Sequence, residues 1–214
     1  DDCVSVVPVG LDRQDYCARL RRGQVDVQCA GGHVVVRNVT CNGGHGLAIG
    51  GVRHGSVTNV TFEGVLATGG QVGSTQDEYA SGGCRVKSYP NSSGVVAEIR
   101  YRDITLSDVY LPLQLLGHYC PFPCRTPDGN TSVLFANISF DRVVGTGRRR
   151  NGEVAEFACS ALEPCQNITV SGIDLRPSGG RQGMMSCSNV GSMSIDSTSI
   201  PSACAESADT VLAV

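Results

Sequence analysis

The stretch "VVAEIRYRDITLSDV" at residues 95–109 decides the fold, because its phrase recurs along the chain. Apolar and polar residues alternate through it, as they do in "VVVRNVTC" (34–41), "SVTNVTFEGV" (56–65), "SVLFANISFDRV" (132–143) and "CQNITVSGIDL" (165–175). Aligning Val39, Val60, Ile99, Ile138 and Ile168 gives steps of 21, 39, 39 and 30 residues, a constant phrase with variable insertions. Alternation bounded by Gly, Asn, Pro or Ser is strand grammar with turns between. A unit too short to bury its own apolar face must stack on its neighbours, which makes a solenoid. No helical crossover pattern separates the strands, and no Asn-Gly lies between two matched alternating strands. An all-β parallel β-helix is therefore favoured over a sandwich. One segment reads differently: residues 11–24, "LDRQDYCARLRRGQ", predict a helix within what looks like an insertion.

Composition agrees with a turn-rich β protein. Of 214 residues 27 are Gly, none is Trp and 17% are charged, so a single domain over 1–214 is expected. The formal net charge of −3 argues against a nucleic-acid partner, which would call for a basic stripe. The short run "GRRRNG" (147–152) reads as a solvated loop tip rather than a binding patch. Eleven cysteines are too many for a reduced cytosolic chain and imply disulfides in an oxidising compartment. Asn38, Asn59, Asn91, Asn130, Asn137 and Asn167 head N-x-S/T sequons compatible with a secreted glycoprotein, although this pattern partly belongs to the repeat itself. No apolar run reaches membrane-spanning length, so no membrane partner is implied. The chain opens "DDCVSV" with no leader pattern, so any signal peptide is expected upstream of Asp1.

Three short features carry chemistry. Asp1-Asp2 is the first: two carboxylates in one cleft cannot both ionise freely, and the pair can divide into an acid and a base. Taken alone, such a pair is more often a solvated turn. The second is "GGHG" (43–46), where glycines around His45 permit unusual φ and close backbone approach. Alone, it too is more often a surface turn. Its run "GHGLAIG" brushes against a phosphate loop, but the next segment, "GVRHGSVTNVTF", is strand-like, so no helix N-terminus is available for phosphate. The third is "RVK" (85–87): the i, i+2 spacing puts Arg85 and Lys87 on one strand face, suited to a carboxylate ligand or equally to a plain soluble face.

Together and in this order, Asp1-Asp2, Gly44-His45-Gly46 and Arg85-Val86-Lys87 resemble the D-D, G-H-G and R-I-K motifs of the polygalacturonase family, glycoside hydrolase family 28, of pectin-degrading enzymes. "GVVAEIRYRDITLSDVYLPLQLLGHY" is similar to the strand pair after R-I-K, and "CSALEPC" and "CSNV…IPSAC" are similar to the tail of many plant and fungal members. The resemblance implies a right-handed parallel β-helix that hydrolyses α-1,4-galacturonosidic bonds with inversion. Asp1 would be the general acid, Asp2 a water-activating carboxylate, and His45 a keeper of the acid's proton balance. Arg85, Lys87 and Tyr119 would bind the galacturonate ring and its carboxylate. Pectin would be the partner, with no cofactor and a monomeric full-length protein in the cell wall. The tail favours exo over endo attack.

Two departures stand out. The family's N-T-D motif, which supplies the other water-activating Asp, is absent, so the sequence reads as the C-terminal part of a longer β-helix with N-terminal coils missing and an open edge prone to aggregation. Residues 9–31 have no counterpart and read as an unusual insertion. A non-catalytic pectin-binding or structural β-helix is therefore the competing class.

The resemblance also implies the pairs Cys3–Cys41, Cys120–Cys124, Cys159–Cys165 and Cys187–Cys204, with Cys17–Cys29 closing the insertion. Cys84 is left over; its strand parity puts it inward with Val86 as a small buried hydrophobe. Zinc at "CPFPC" is disfavoured, because no second ligand pair stands at finger spacing.

Overall fold

The computed structural model describes residues 2–8, 18–20, 26–30, 33–70, 82–120 and 129–205, with the backbone alone at 18–20 and 26–30. Its strands in chain order are β1 (Val4–Val6), β2 (Ala18–Leu20), β3 (Asp26–Ala30), β4 (His33–Arg37), β5 (Thr40–Asn42), β6 (Leu47–Thr68), β7 (Gly82–Val109), β8 (Leu111–Leu116), β9 (Val133–Gly147), β10 (Glu153–Ala158), β11 (Gln166–Ser171), β12 (Asp174–Pro177), β13 (Met184–Ser188) and β14 (Met193–Ile195). Among the described residues there is no helix. The expected helix is overturned where it can be seen, since Ala18–Leu20 is a strand; the rest of 11–24 lies outside the described residues.

The strands wind into a parallel β-helix. One face stacks β1, β6, β7, β8, β10 and β13 in parallel, bringing Val4, Leu47, Cys84, Leu113, Ala155 and Met185 into one buried row. A second face stacks β4, β6, β7, β9, β11 and β14, with Val34, Val60, Ile99, Ile138, Ile168 and Met193 in register. The long strands β6, β7 and β9 turn from face to face, because left-handed residues bend them at fixed places. Asn59, Glu98, Asn137 and Asn167 form one such corner row, with φ between 52° and 59°. Asn38, Gly64, Asp103, Arg142 and Gly172 form the next, with φ between 52° and 62°. Asn tolerates this region better than most residues. In the first row Asn167 Nδ2 donates to Asn137 Oδ1 at 2.7 Å. Five of the six sequon asparagines, Asn38, Asn59, Asn91, Asn137 and Asn167, have left-handed φ, so asparagine stands there for a backbone reason.

The corners also explain the one slip in the repeat alignment. Val60 pairs with Val34 and not with Val39, which lies just after Asn38 at the second corner. Both corners take a left-handed residue followed by Val or Ile, so the "NV" of "NVT" fits either.

In-register stacking puts like residues over like. Phe62, Tyr101 and Phe140 lie one per coil with ring centroids 4.9 and 5.3 Å apart and ring planes nearly parallel, and Phe157 continues the column at 5.6 Å. All four are fully buried, and each contact of this kind adds about 0.5–1.5 kcal/mol to the area it buries.

Residues of the insertion meet the N-terminal edge. β2 pairs antiparallel with β1, and β3 antiparallel with β4. β1 and β4 thus each have a strand of the same chain along their outer side, and their backbone N–H and C=O groups find partners there.

Candidate active site

The first face carries all three chemical motifs, one coil above another. Asp2 precedes β1, His45 precedes β6, Arg85 and Lys87 lie in β7, and Tyr119 lies just after β8. Neighbouring coils stand about 4.8 Å apart, so a side chain must span the coil between to touch a group two coils away. In that intervening coil the residues level with Arg85 and Lys87 are Ala48 and Gly50. They leave a bare floor. Across it the Lys87 ammonium reaches Asp2, donating to Oδ1 and Oδ2 at 3.1 Å each. Lys87 is 6% exposed and the Asp2 side chain 14%, so water screens the pair little. Burial lowers the Lys87 pKa, Asp2 opposes that shift, and Arg85 adds to it.

Glycine decides where His45 sits. Gly46 has φ +80°, and a Cβ there would stand 2.2 Å from the Gly83 oxygen and 2.3 Å from that of Gly82. Only glycine lets the coils close at this point. The turn is clamped from both sides: the Cys3 and Val4 N–H groups donate to Gly46 O at 3.0 and 3.2 Å, and Gly82 N–H donates to Gly44 O at 3.0 Å. The Cys3–Cys41 disulfide closes the loop that ends just ahead of this turn; at a sequence separation of 38, it stabilises by about 4 kcal/mol on chain-entropy grounds.

His45 Nδ1 lies 3.9 Å from Asp2 Oδ1, too far for a hydrogen bond. Burial first, and then the charge of Arg85, lower its pKa from 6.5 to about 4, while Asp2 raises it. His45 is therefore a neutral imidazole near neutral pH, and its approach to Asp2 there is not an ion pair.

Arg85 is 8% exposed, and its Nε has no hydrogen-bond partner among the described residues. Its guanidinium carbon stands 5.0 Å from the Tyr119 ring centroid, and Lys87 Nζ stands 5.3 Å from the same ring. Tyr119 is held by its N–H donating to Ser88 O at 2.7 Å, and the Ser88 hydroxyl in turn donates to Gly117 O at 3.1 Å. From below, the Tyr101 hydroxyl lies 3.2 Å from the Arg85 carbonyl and 3.3 Å from that of Leu47, tying the aromatic column to the site floor.

Asp2, His45, Arg85, Lys87 and Tyr119 therefore converge; Asp1 lies outside the described residues. Lys87, expected to face a ligand carboxylate, holds Asp2 in this structure. Sequence reading missed Tyr89, whose ring stands 5.8 Å from that of Tyr119, and Arg53, whose guanidinium carbon lies 4.1 Å from the Tyr89 centroid. Tyr89 shares the outward parity of Arg85 and Lys87, which was the available signal. Arg53 offered none.

Away from this turn, Cys159–Cys165 and Cys187–Cys204 are bridged, each with Cα atoms 5.7 Å apart. Cys120 is in a disulfide, and its expected partner Cys124 lies outside the described residues, as does the Cys17–Cys29 pairing. Cys84 is a buried free thiol, and burial pushes its pKa far up.

Comparison with known proteins bears on the same face. The family model described as glycosyl hydrolases family 28 matches residues 1–199. A polygalacturonase of Gossypium hirsutum is 32% identical over 87% of this chain and 42% of its own length. An exopolygalacturonase of Oenothera organensis is 28% identical over 97% of this chain and 53% of its own length. An exopolygalacturonase of Rhizopus delemar is 34% identical over 66% of this chain and 36% of its own length. The chain thus spans about half or less of these relatives. Matched across residues 1–199 and folded as a parallel β-helix, the chain belongs to the glycosyl hydrolases family 28.

Proposed function

We propose that this protein is a secreted glycoside hydrolase that cleaves α-1,4-galacturonosidic bonds of polygalacturonate in cell-wall pectin, with inversion and in the exo mode. The observation that carries the reading is Arg85. A nearly buried guanidinium whose Nε lacks a partner among the described residues is costly to leave unpaired, and a ligand carboxylate is the group that satisfies it. Tyr119 gives the sugar a ring to pack on. The names of the relatives, two of them exopolygalacturonases, support the substrate class and the mode of attack.

In this reading Asp1 gives its proton to the glycosidic oxygen as the bond from C1 to that oxygen breaks. Asp2 takes a proton from the water whose oxygen bonds to C1 from the opposite ring face. The Lys87 ammonium, donating to both Asp2 oxygens, holds that side chain in place. Neutral His45 takes that proton from Asp2 on one ring nitrogen and gives the proton on its other nitrogen to Asp1, which returns both carboxyls to their starting forms.

A reducing-end assay on polygalacturonate tests this with the wild-type chain, Asp1→Asn and Asp2→Asn. Hydrolysis lost in both variants is the expected result. Binding of polygalacturonate without hydrolysis by the wild-type chain would replace this reading with a pectin-binding module.

A further inference from the structure

We propose that the binding surface continues past Lys87 to a second anion subsite at Arg53, held by Tyr89, which takes the carboxylate of the neighbouring uronate residue. This rests on the reading that the cleft takes a galacturonate chain.

The contacts run without a break. Arg85 and Lys87 flank the Tyr119 ring, Tyr119 leans on Tyr89, and Tyr89 carries Arg53 on its ring. The backbone is shaped for this. A Cβ on Gly51 would stand 2.4 Å from Tyr89 Cε2, so the tyrosine ring occupies space that any other residue at 51 would fill.

Arg53 is also engaged differently from most arginines on the coils. Arg37, Arg102, Arg142 and Arg176 each hold a carboxylate within 3.2 Å. Arg53 is exposed, and among the described residues it makes no ion pair and no hydrogen bond; its contact is the Tyr89 ring. A guanidinium laid on a ring keeps its N–H edge free and fixes its plane, the arrangement that receives a carboxylate through two parallel hydrogen bonds. Along this strip three cations, Arg53, Arg85 and Lys87, face the single described carboxylate Asp2, in a chain whose net charge is −3. Local positive excess on an acidic protein fits a polyanionic ligand. Arg53 is then the ligand-binding group, and Tyr89 a positioning residue acting through it.

The test is calorimetric titration of wild type, Arg53→Gln, Tyr89→Leu and Tyr89→Phe with galacturonate, digalacturonate and trigalacturonate. Expected is a roughly tenfold loss of trigalacturonate affinity in Arg53→Gln, the scale of one charge-assisted pair, with galacturonate affinity within about twofold of wild type. Tyr89→Leu should show the same length-dependent loss, while Tyr89→Phe, which keeps the ring, should bind as wild type does. Unchanged trigalacturonate affinity in Arg53→Gln, or an equal loss for all three ligands, overturns the subsite while leaving the proposed function standing. If wild type binds none of the three, both fall together. Arg53→Lys, which keeps the charge but loses the fork, should fall between wild type and Arg53→Gln; affinity equal to that of Arg53→Gln would refute charge recognition at this position.

Discussion

The Lys87–Asp2 pair makes a quantitative demand on the fold. Two unit charges 3.1 Å apart attract by roughly 5 kcal/mol at an effective dielectric of 20. Against this stands the cost of taking both groups out of water, visible in the direction of the Lys87 pKa: burial lowers it more than Asp2 raises it. Burial outweighs the attraction of Asp2 in that balance, so the pair as a whole adds little over an apolar substitute. Either half left alone is another matter. Lys87→Met strands an anion 14% exposed, and Asp2→Asn strands an ammonium in a site 6% exposed. Each single variant should lose about 2–4 kcal/mol, allowing for the residual exposure of Asp2, while Lys87→Met/Asp2→Asn should recover most of that loss. Urea unfolding of all four proteins at pH 7 measures the cycle. A coupling energy of at least about 2 kcal/mol is expected. Single losses that add to within about 0.5 kcal/mol in the double variant would refute the argument, because they would mean that the two charges do not depend on each other.

The same geometry has consequences for three other residues. Because the His45 pKa is lowered from 6.5 to about 4 on folding, the unfolded chain takes up a proton that the folded one refuses between those values; stability is unaffected above pH 6.5 and falls as pH drops to 4, by about 1–2 kcal/mol once solvent screening of the half-buried ring is allowed for, and His45→Gln should flatten that part of the profile in thermal melts. Gly46→Ala meets backbone oxygens at 2.2 and 2.3 Å in a left-handed conformation that itself costs about 1–2 kcal/mol, so a loss above about 3 kcal/mol is expected by chemical denaturation, and a wild-type midpoint would show that the coils are not closed there. Glu98 is the one charged residue in a corner row otherwise made of asparagines, and Glu98→Asn should raise stability by about 0.5–1.5 kcal/mol, read as a higher melting temperature.

The fold was legible because a parallel coil repeats its grammar: each turn must present apolar residues to the same interior and a left-handed residue to the same corner. The 39-residue steps from Val60 through Ile99 to Ile138 are those of the true register. The first step failed at Asn38 because two corners impose the same local demand, and only the neighbouring coil decides which one a segment occupies. The helical reading of 11–24 failed at Ala18–Leu20 because the unpaired edge of β1 takes a strand as its partner, a tertiary demand that outweighs a weak local preference.

The site was legible to the depth at which strand parity reaches. Parity places Arg85 and Lys87 together and carries Tyr89 with them. It does not say what lies one or two coils away, and there the ligand-facing reading of Lys87 gave way to a bond with Asp2. That bond exists because the floor level with Lys87 is Gly50 and not a longer side chain, a fact set by the stacking of β6 on β7. The same stacking brings Arg53 onto Tyr89 across a gap of 36 positions in the chain. In a solenoid the residues of one cleft come from successive coils, so its chemistry is written in the rows across the strands, and a reading that runs along one strand recovers only the members that alternate within it.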